Sequence, residues 1–470
     1  MYGFASSISK SLSLLTFPIL TRQFSVQDYG VLDYFLSVSA LVLSIFILGQ
    51  DSSVGRFIYE INDTKNRRQL ISQSLCVQLI FYFTLLPILW INSENITLFL
   101  INDFRCIPYF KLVILQVPCV LVLNFSKNIL KYTFKRKEFL VLTIVFSFFH
   151  VISLLTGIYF IDITIKDILL LSLLVNLIFS VLGLYFIKQW LTFPLSLNHF
   201  YQMIPFALPY WIISIIGILI PTLERSVTTN LFGSVELGYY AVASKFVMLI
   251  SLLATSFQMS WGPFSLSLYK EKNSIYIFNI VFKTFTFLVC FVAILINLFG
   301  INLISIVAGS QYEGAFILVF PLVVALCIQA TSWITEIGIG ISKKTYLILL
   351  CYILRLIITF ITIHFFVIHF GLVGIGIGVL IGQITKAFVA SILAQKVFRM
   401  AWEYKQPVIV FIITLISGFT SLYCFNLKNI TASQLINIVT LFILIKYFFS
   451  HMITKDERNK FYRYFKIKTS

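Results

Sequence analysis

Seven of the 35 Lys and Arg residues lie inside long apolar runs, and these are the side chains best placed to do chemistry. Lys10, Lys245 and Arg355 fall near the middle of their runs, while Lys283 and Lys386 sit nearer one end. Lys111 and Lys446 are close enough to run ends to snorkel to water. A cation deep in hydrocarbon is costly and usually faces a bundle interior or an aqueous cavity. Five fixed cations in a cavity would bind anions, and Arg355 can grip phosphate oxygens bidentately where a lysine offers a point charge. Four of the five (Lys245, Lys283, Arg355 and Lys386) fall in the second half, which would then carry most of the anion site. The alternative for each is a structural pair with an acid or a backbone carbonyl.

The acids are fewer. Asp33 and Glu336 each lie near the end of an apolar run, where they could carry a coupling proton or pair with a neighbouring lysine. Asp51 and Arg56 bracket one run end and Glu224 and Arg225 another, which makes them candidates for gate or bundle-contact ion pairs, or simple interfacial charges. His150, His364 and His369 show no ligand spacing, and the seven cysteines form no C-x-x-C pair, so no metal site or disulfide framework is expected. There is no G-x-x-x-x-G-K-[ST] loop for ATP. No cofactor and no enzymatic centre is indicated. Tyr210, Trp211, Trp261 and Trp333 are capable of stacking on sugars, but packing is the simpler role for them.

The elements that must hold these groups follow from composition. The chain is 59% hydrophobic and only 11% charged, with a mean hydropathy of +0.96. Soluble chains carry about 25% charged residues. Continuous apolar runs such as 139–160 exclude the alternating strands of a membrane barrel, so the expected fold is all-α and polytopic. Fourteen runs are long enough to span a bilayer, at about 4–20, 31–50, 70–91, 109–126, 139–160, 167–187, 203–222, 237–262, 276–299, 314–340, 345–368, 371–395, 406–425 and 434–450. With this map, 23 Lys and Arg fall on one side and only Arg22, Arg105, Lys166, Arg225 and Lys428 on the other. That asymmetry puts both termini in the cytoplasm and accounts for most of the +17 net charge without nucleic acid.

A short repeat organises the runs. Arg22-Gln-Phe-Ser-Val-Gln-Asp-Tyr-Gly30 and Asn230-Leu-Phe-Gly-Ser-Val-Glu-Leu-Gly238 each place a Phe six residues before a Gly and an acid two before it. Six runs separate the copies, so they share orientation and imply parallel repeats. Residues 1–200 and 201–400 would be two six-helix bundles around a central cavity, and 401–470 two further helices with a basic tail. Pro205 and Pro209 would open the seventh run and Pro221 close it, each able to kink a helix. Gly374, Gly378 and Gly382 recur every four residues and predict a flat stripe for close helix packing, with Lys386 continuing the same face.

Several segments resemble the Wzx-type polysaccharide flippases of the multidrug/oligosaccharidyl-lipid/polysaccharide exporter superfamily. They are Leu15-Thr-Phe-Pro-Ile-Leu-Thr-Arg22, Asp28-Tyr-Gly30 and Gly49-Gln-Asp-Ser-Ser-Val-Gly-Arg56 in the first half. The second half adds Phe206-Ala-Leu-Pro209, Glu224-Arg225, Glu236-Leu-Gly-Tyr-Tyr240, Trp261-Gly-Pro-Phe264 and Gly371-Leu-Val-Gly374. The resemblance implies a bacterial inner-membrane protein that turns undecaprenyl-pyrophosphate-linked oligosaccharide repeat units, of O-antigen or lipopolysaccharide and capsule type, to the periplasmic leaflet by alternating access. H⁺ or Na⁺ coupling, and polysaccharide polymerase and assembly proteins as partners alongside the membrane lipids, are implied in the same way. Glu224, where Asp is commoner, and Arg355, where Asn is more typical, depart from the family pattern. The alternatives are a multidrug exporter of the same superfamily, which should favour an acidic cavity, and a membrane polymerase or glycosyltransferase. The latter should carry a sizeable outer loop, whereas the longest, at about 91–109, holds only Glu94, Asp103 and Arg105 as charged residues.

Overall fold

The computed structural model describes residues 2–160, 163–194, 196–271, 273–342, 344–427 and 429–452, with the side chains of 2–4, 6, 7 and 10 outside it. All regular structure among them is helical. The first helices are α1 (Tyr2–Gln23), α2 (Val26–Ile47), α3 (Gln50–Phe57), α4 (Thr64–Ile91), α5 (Ser93–Ile101) and α6 (Ile107–Tyr132). Then come α7 (Arg136–Leu140), α8 (Phe146–Phe160), α9 (Ile165–Ile187), α10 (Asn198–Phe232), α11 (Ser234–Leu268) and α12 (Ser274–Val307). The last are α13 (Phe316–Thr335), α14 (Ile337–Ile341), α15 (Tyr346–Phe370), α16 (Val373–Val397), α17 (Lys405–Asn426) and α18 (Ile430–Tyr447). Among the described residues, 13 helical segments are long and apolar enough to cross a membrane, and the expected first span, Tyr2–Gln23, is a further helix of 22 residues. Lipid offers backbone groups no partner, and a helix satisfies its own.

The chain forms two compact units, Met1–Ala241 and Val242–Ser470. In the first, α2, α6 and α9 pack in sequence, and α10 lies along α2 and α3. Its core is aromatic: Tyr34, Phe35, Phe46, Tyr82 and Phe110 are all but fully buried. The Tyr82 hydroxyl reaches the Ile114 carbonyl at 2.9 Å, so the ring is buried without a stranded donor.

Both copies of the repeat begin a helix at the same position, Val26 in one and Ser234 in the other. Ser25 caps the first by accepting from the Asp28 amide. In the second, Gly233 turns the chain in one residue at φ 105°, a conformation that side chains rarely adopt. The two conserved-spacing glycines then meet each other. A Cβ on Gly30 would lie 2.5 Å from the Gly238 nitrogen, and one on Gly238 would lie 2.2 Å from the Val26 carbonyl oxygen. Only glycine lets these two helix starts cross so closely.

Where α2 ends, Leu48 and Gly49 both take left-handed conformations and redirect the chain into α3. A Cβ on Gly49 would sit 2.5 Å from the Ala207 carbonyl of α10. Trp211 fills the adjacent space and its Nε1–H points to the Ser44 and Ile45 carbonyls at 3.1 and 3.0 Å, which α2's own end leaves unmet. This is packing chemistry rather than sugar stacking.

The seventh run differs from expectation at its end. Pro221 does not close it: α10 continues unbroken through Pro205, Pro209 and Pro221 to Phe232. Pro221 has no N–H for the Gly217 carbonyl, yet the helix runs on, and Arg225 Nη1 donates to the Pro221 carbonyl at 3.0 Å. Glu224 and Arg225 therefore lie inside a helix and not in a connector.

In the second unit α13 is the central helix, with Phe316, Phe320, Val323 and Cys327 buried, and it packs on α12 and α16. The glycine stripe of α16 faces α15 as expected. A Cβ on Gly378 would lie 2.6 Å from the Ile363 backbone nitrogen, one on Gly382 would lie 2.0 Å from Thr359 Oγ1, and one on Gly374 would lie 2.4 Å from the Phe366 carbonyl. The α17–α18 pair is joined to α12 by buried polar groups. Asn297 Nδ2 donates to Asn437 Oδ1 (3.0 Å) and Ser421 Oγ (3.2 Å), Asn437 Nδ2 donates to Ser421 Oγ (2.9 Å), and Ser421 and Ser433 share a 2.7 Å bond.

The glycine crossing predicts a sharp contrast. Gly238→Ala should cost about 1–3 kcal/mol, the usual penalty of overpacking, and lower the melting temperature in detergent by several degrees. Gly217→Ala, where a Cβ meets nothing within 4 Å, should leave it unchanged or raised. Equal melting of the two variants would show that the crossing is loose.

Candidate functional site

Two ionic clusters stand out, one in each unit. In the first unit, Asp33 on α2 and Arg225 on α10 are 4% and 8% exposed. Arg225 donates to Asp33 Oδ2 from Nε at 2.9 Å and from Nη2 at 2.7 Å. Tyr240 on α11 lays its ring under the guanidinium, 5.0 Å from centroid to Cζ, and its hydroxyl donates to the buried Glu224 carboxylate. Tyr34 and Ser226 both donate to the Leu100 carbonyl at 3.1 Å, tying α2 and α10 to the end of α5. A guanidinium suits this place because its planar fork takes a carboxylate, a carbonyl and an aromatic face at once.

In the second unit, Lys386 of α16 is 1% exposed and Glu336, at the end of α13, 7%. Lys386 Nζ lies 2.5 Å from Glu336 Oε1 and 3.3 Å from Ser332 Oγ, and the Ser332 hydroxyl donates to the same carboxylate oxygen at 2.8 Å. The Tyr352 ring of α15 stands 5.3 Å from the ammonium. The glycine contacts fix the register of the α15–α16 hairpin, with Gly374 beside Phe366, Gly378 beside Ile363 and Gly382 beside Thr359. One turn further on, Arg355 comes level with Lys386. Arg355 is half-buried, and Lys245 on α11 likewise.

The remaining expected residues are placed separately. Lys283 of α12 pairs with Glu403, in the segment between α16 and α17. Asp51 and Arg56 do not pair with each other. Asp51 is exposed, its backbone carbonyl taking the Tyr132 hydroxyl at 2.7 Å. Arg56 lies 3.6 Å from Glu60 and stacks over Phe206, 4.6 Å from Cζ to centroid. The Lys10 side chain falls outside the described residues. Ser332 and Glu403 were not singled out from sequence, and Tyr240 entered only as the end of the segment Glu236-Leu-Gly-Tyr-Tyr240, with no partner assigned. Ser332 had a signal, lying four residues before Glu336 on the same helix face. Glu403 had none, since its partner is set by tertiary packing.

The comparisons with known proteins fit this architecture. Residues 1–268, more than half of the chain, match the family model described as polysaccharide biosynthesis protein, and the chain belongs to that family. Its fold is that of solved membrane transporters. "Lipid II flippase MurJ, inward closed conformation" matches at 15% identity with a TM-score of 0.74, over 96% of this chain and 99% of that one. An inward-facing multidrug resistance MATE family transporter of the MOP superfamily matches at 15% identity with a TM-score of 0.62, over 82% and 97%. The Vibrio cholerae MATE transporter VcmN in the bent form matches at 16% identity with a TM-score of 0.56, over 84% and 98%. Comparison with curated proteins returns no match. The chain is a multi-pass membrane protein with the MurJ/MATE-like all-helical transporter fold.

Both buried pairs should behave asymmetrically on mutation. Arg225→Met leaves Asp33 buried without its cation and should cost about 3–5 kcal/mol, whereas Arg225→Met with Asp33→Leu should recover most of that. Melting curves in detergent for the single and double variants would decide it, and an unperturbed single variant would mean that Asp33 is solvated.

Proposed function

We propose that the protein is a non-enzymatic flippase that moves undecaprenyl-pyrophosphate-linked oligosaccharide repeat units, of O-antigen or capsule type, between the leaflets of a bacterial inner membrane. Membership of the polysaccharide biosynthesis family and a fold shared with a lipid II flippase support this class of substrate. The observation that carries the reading is the level of Arg355 and Lys386 in the α15–α16 hairpin. Glu336 and Ser332 hold Lys386 in place, while Arg355 supplies the planar fork that a pyrophosphate takes bidentately. Lys245 adds positive charge, and Lys283 lends its charge through a pair that an anion can exchange for Glu403. Transport proceeds by alternating access between two related six-helix bundles, residues 1–200 and 201–400, coupled to H⁺ or Na⁺. Asp33 and Glu336 are the acids placed to sense the coupling ion. A multidrug exporter of cations is the weaker reading, because the unit carrying the deep charges is richer in bases than in acids.

The test is periplasmic ligation of radiolabelled lipid-linked repeat units in a strain lacking the protein, complemented with wild type, Arg355→Ala or Arg355→Lys at matched membrane levels. Wild type should restore ligation, and Arg355→Ala should reduce it by about tenfold or more, the cost of losing one charge-assisted pair. Arg355→Lys should recover part of the loss. Wild-type behaviour of Arg355→Ala would remove that residue from the site. Arrival of precursor in the periplasm without the protein would remove the flippase reading altogether.

A further inference from the structure

A cavity in the second unit begins beside the Lys386–Glu336–Ser332 cluster and extends from it along α16. Helices α13, α16 and α17 enclose this cavity of about 730 Å³. That volume is within the range of pockets that take small ligands. Its walls are apolar, led by Phe282, Ile328, Phe388, Phe411 and Leu415. It runs along α16 from Ile384 to Lys396, about 18 Å of helix. Ser332, the partner of Lys386, lines it at the Ile384 end, and Lys396, Arg399 and Tyr404 line the other, the mouth, where the free charge lies.

The two mouth cations lack an acidic partner among the described residues. Lys396 and Arg399 are exposed and enter no ion pair among the described residues. The one acid in the connecting segment, Glu403, is taken by Lys283. The Tyr404 hydroxyl is buried beside the Gln395 and Ser391 side chains and makes no close, well-aligned hydrogen bond. The polar side chains nearby are already committed: both ends of the Gln395 amide bond to the Met400 backbone, at 2.7 and 3.0 Å, and Ser391 bonds to Thr335 at 3.0 Å. The C-terminal end of α16 adds no positive potential of its own and favours cations in its last turn, so the positive charge at the mouth belongs to the two side chains. A long apolar cleft ending in two free cations, with the Tyr404 hydroxyl beside them, matches an amphiphile with one anionic head.

We infer that this cleft holds an anionic phospholipid of the surrounding bilayer, one acyl chain lying along α16 and its headgroup phosphate set between Lys396, Arg399 and the Tyr404 hydroxyl. Basic pockets between membrane helices select anionic lipids in this way. The lipid is a resident ligand that fills the seam between α17 and the α13–α16 pair, and it is distinct from the transported molecule.

Native mass spectrometry of the full-length protein, with phosphatidylglycerol or phosphatidylcholine added in detergent, tests the assignment. Wild type should retain phosphatidylglycerol in preference to phosphatidylcholine. Lys396→Gln with Arg399→Gln should weaken phosphatidylglycerol retention about tenfold, in line with the attraction expected of two interfacial cations, with no change for phosphatidylcholine. Ala387→Trp, which fills the cleft, should abolish retention of either lipid. Should that variant fail to fold, as judged by its melting curve, the surface double variant still decides the matter. Equal retention by wild type and the double variant would overturn the inference. So would displacement of phosphatidylglycerol by an equal amount of undecaprenyl phosphate, because the cleft would then belong to the isoprenoid chain of the substrate.

Discussion

A charge taken out of water without a counter-charge costs more than any one packing contact recovers. That constraint arranges both units. Asp33 brings Arg225 into α10, and the guanidinium in turn meets a carbonyl beside Pro221 and lies on the ring of Tyr240. Glu336 and Ser332 do the same for Lys386. In each case one helix supplies the cation and another the acid, so the ion pair sets how the helices approach. Glycines then decide how near they come, at Gly30 and Gly238 in the first unit and along Gly374, Gly378 and Gly382 in the second.

The pairs and the stripes also divide the work between rigidity and recognition. The α15–α16 hairpin is locked along its glycine face, which leaves little freedom for the level at which Arg355 and Lys386 stand. For the pyrophosphate substrate proposed above, cations held in place before the anion arrives would reduce the ordering required at binding. Lys386 is fixed by its acid, whereas Lys283 is held by a glutamate that is half exposed and outside a helix. The first arrangement suits a permanent part of the wall and the second an exchangeable contact.

Much of this was legible in the residues. Repeat spacing marked both connectors, but the apolar runs began at about 31 and 237, whereas the helices start earlier, at Val26 and Ser234, because a cap or a turn glycine starts a helix before its apolar face does. The four-residue glycine period located the α15–α16 contact. Pro221 misled, since a proline within a membrane helix removes one backbone bond without having to end the helix, and α10 runs on to Phe232. The Asp33–Arg225 pair spans 192 positions. Sequence shows that each such group is costly but not which other group relieves it. The cleft of α13, α16 and α17 was equally invisible, as its walls are ordinary apolar residues and only their enclosure gives them meaning.

The polar seam of Asn297, Ser421, Ser433 and Asn437 bears on how the chain is made. Ribosomes deliver α12 to the bilayer well before α17 and α18, so for a time Asn297 faces lipid with an amide that nothing answers. The last two helices carry matching groups, joined to each other at Ser417–Thr440 and Ser421–Ser433. The hairpin thus satisfies its own hydroxyls, and its docking answers the Nδ2 end of Asn297. A chain interrupted before α17 lacks both groups that take the Asn297 Nδ2 donor.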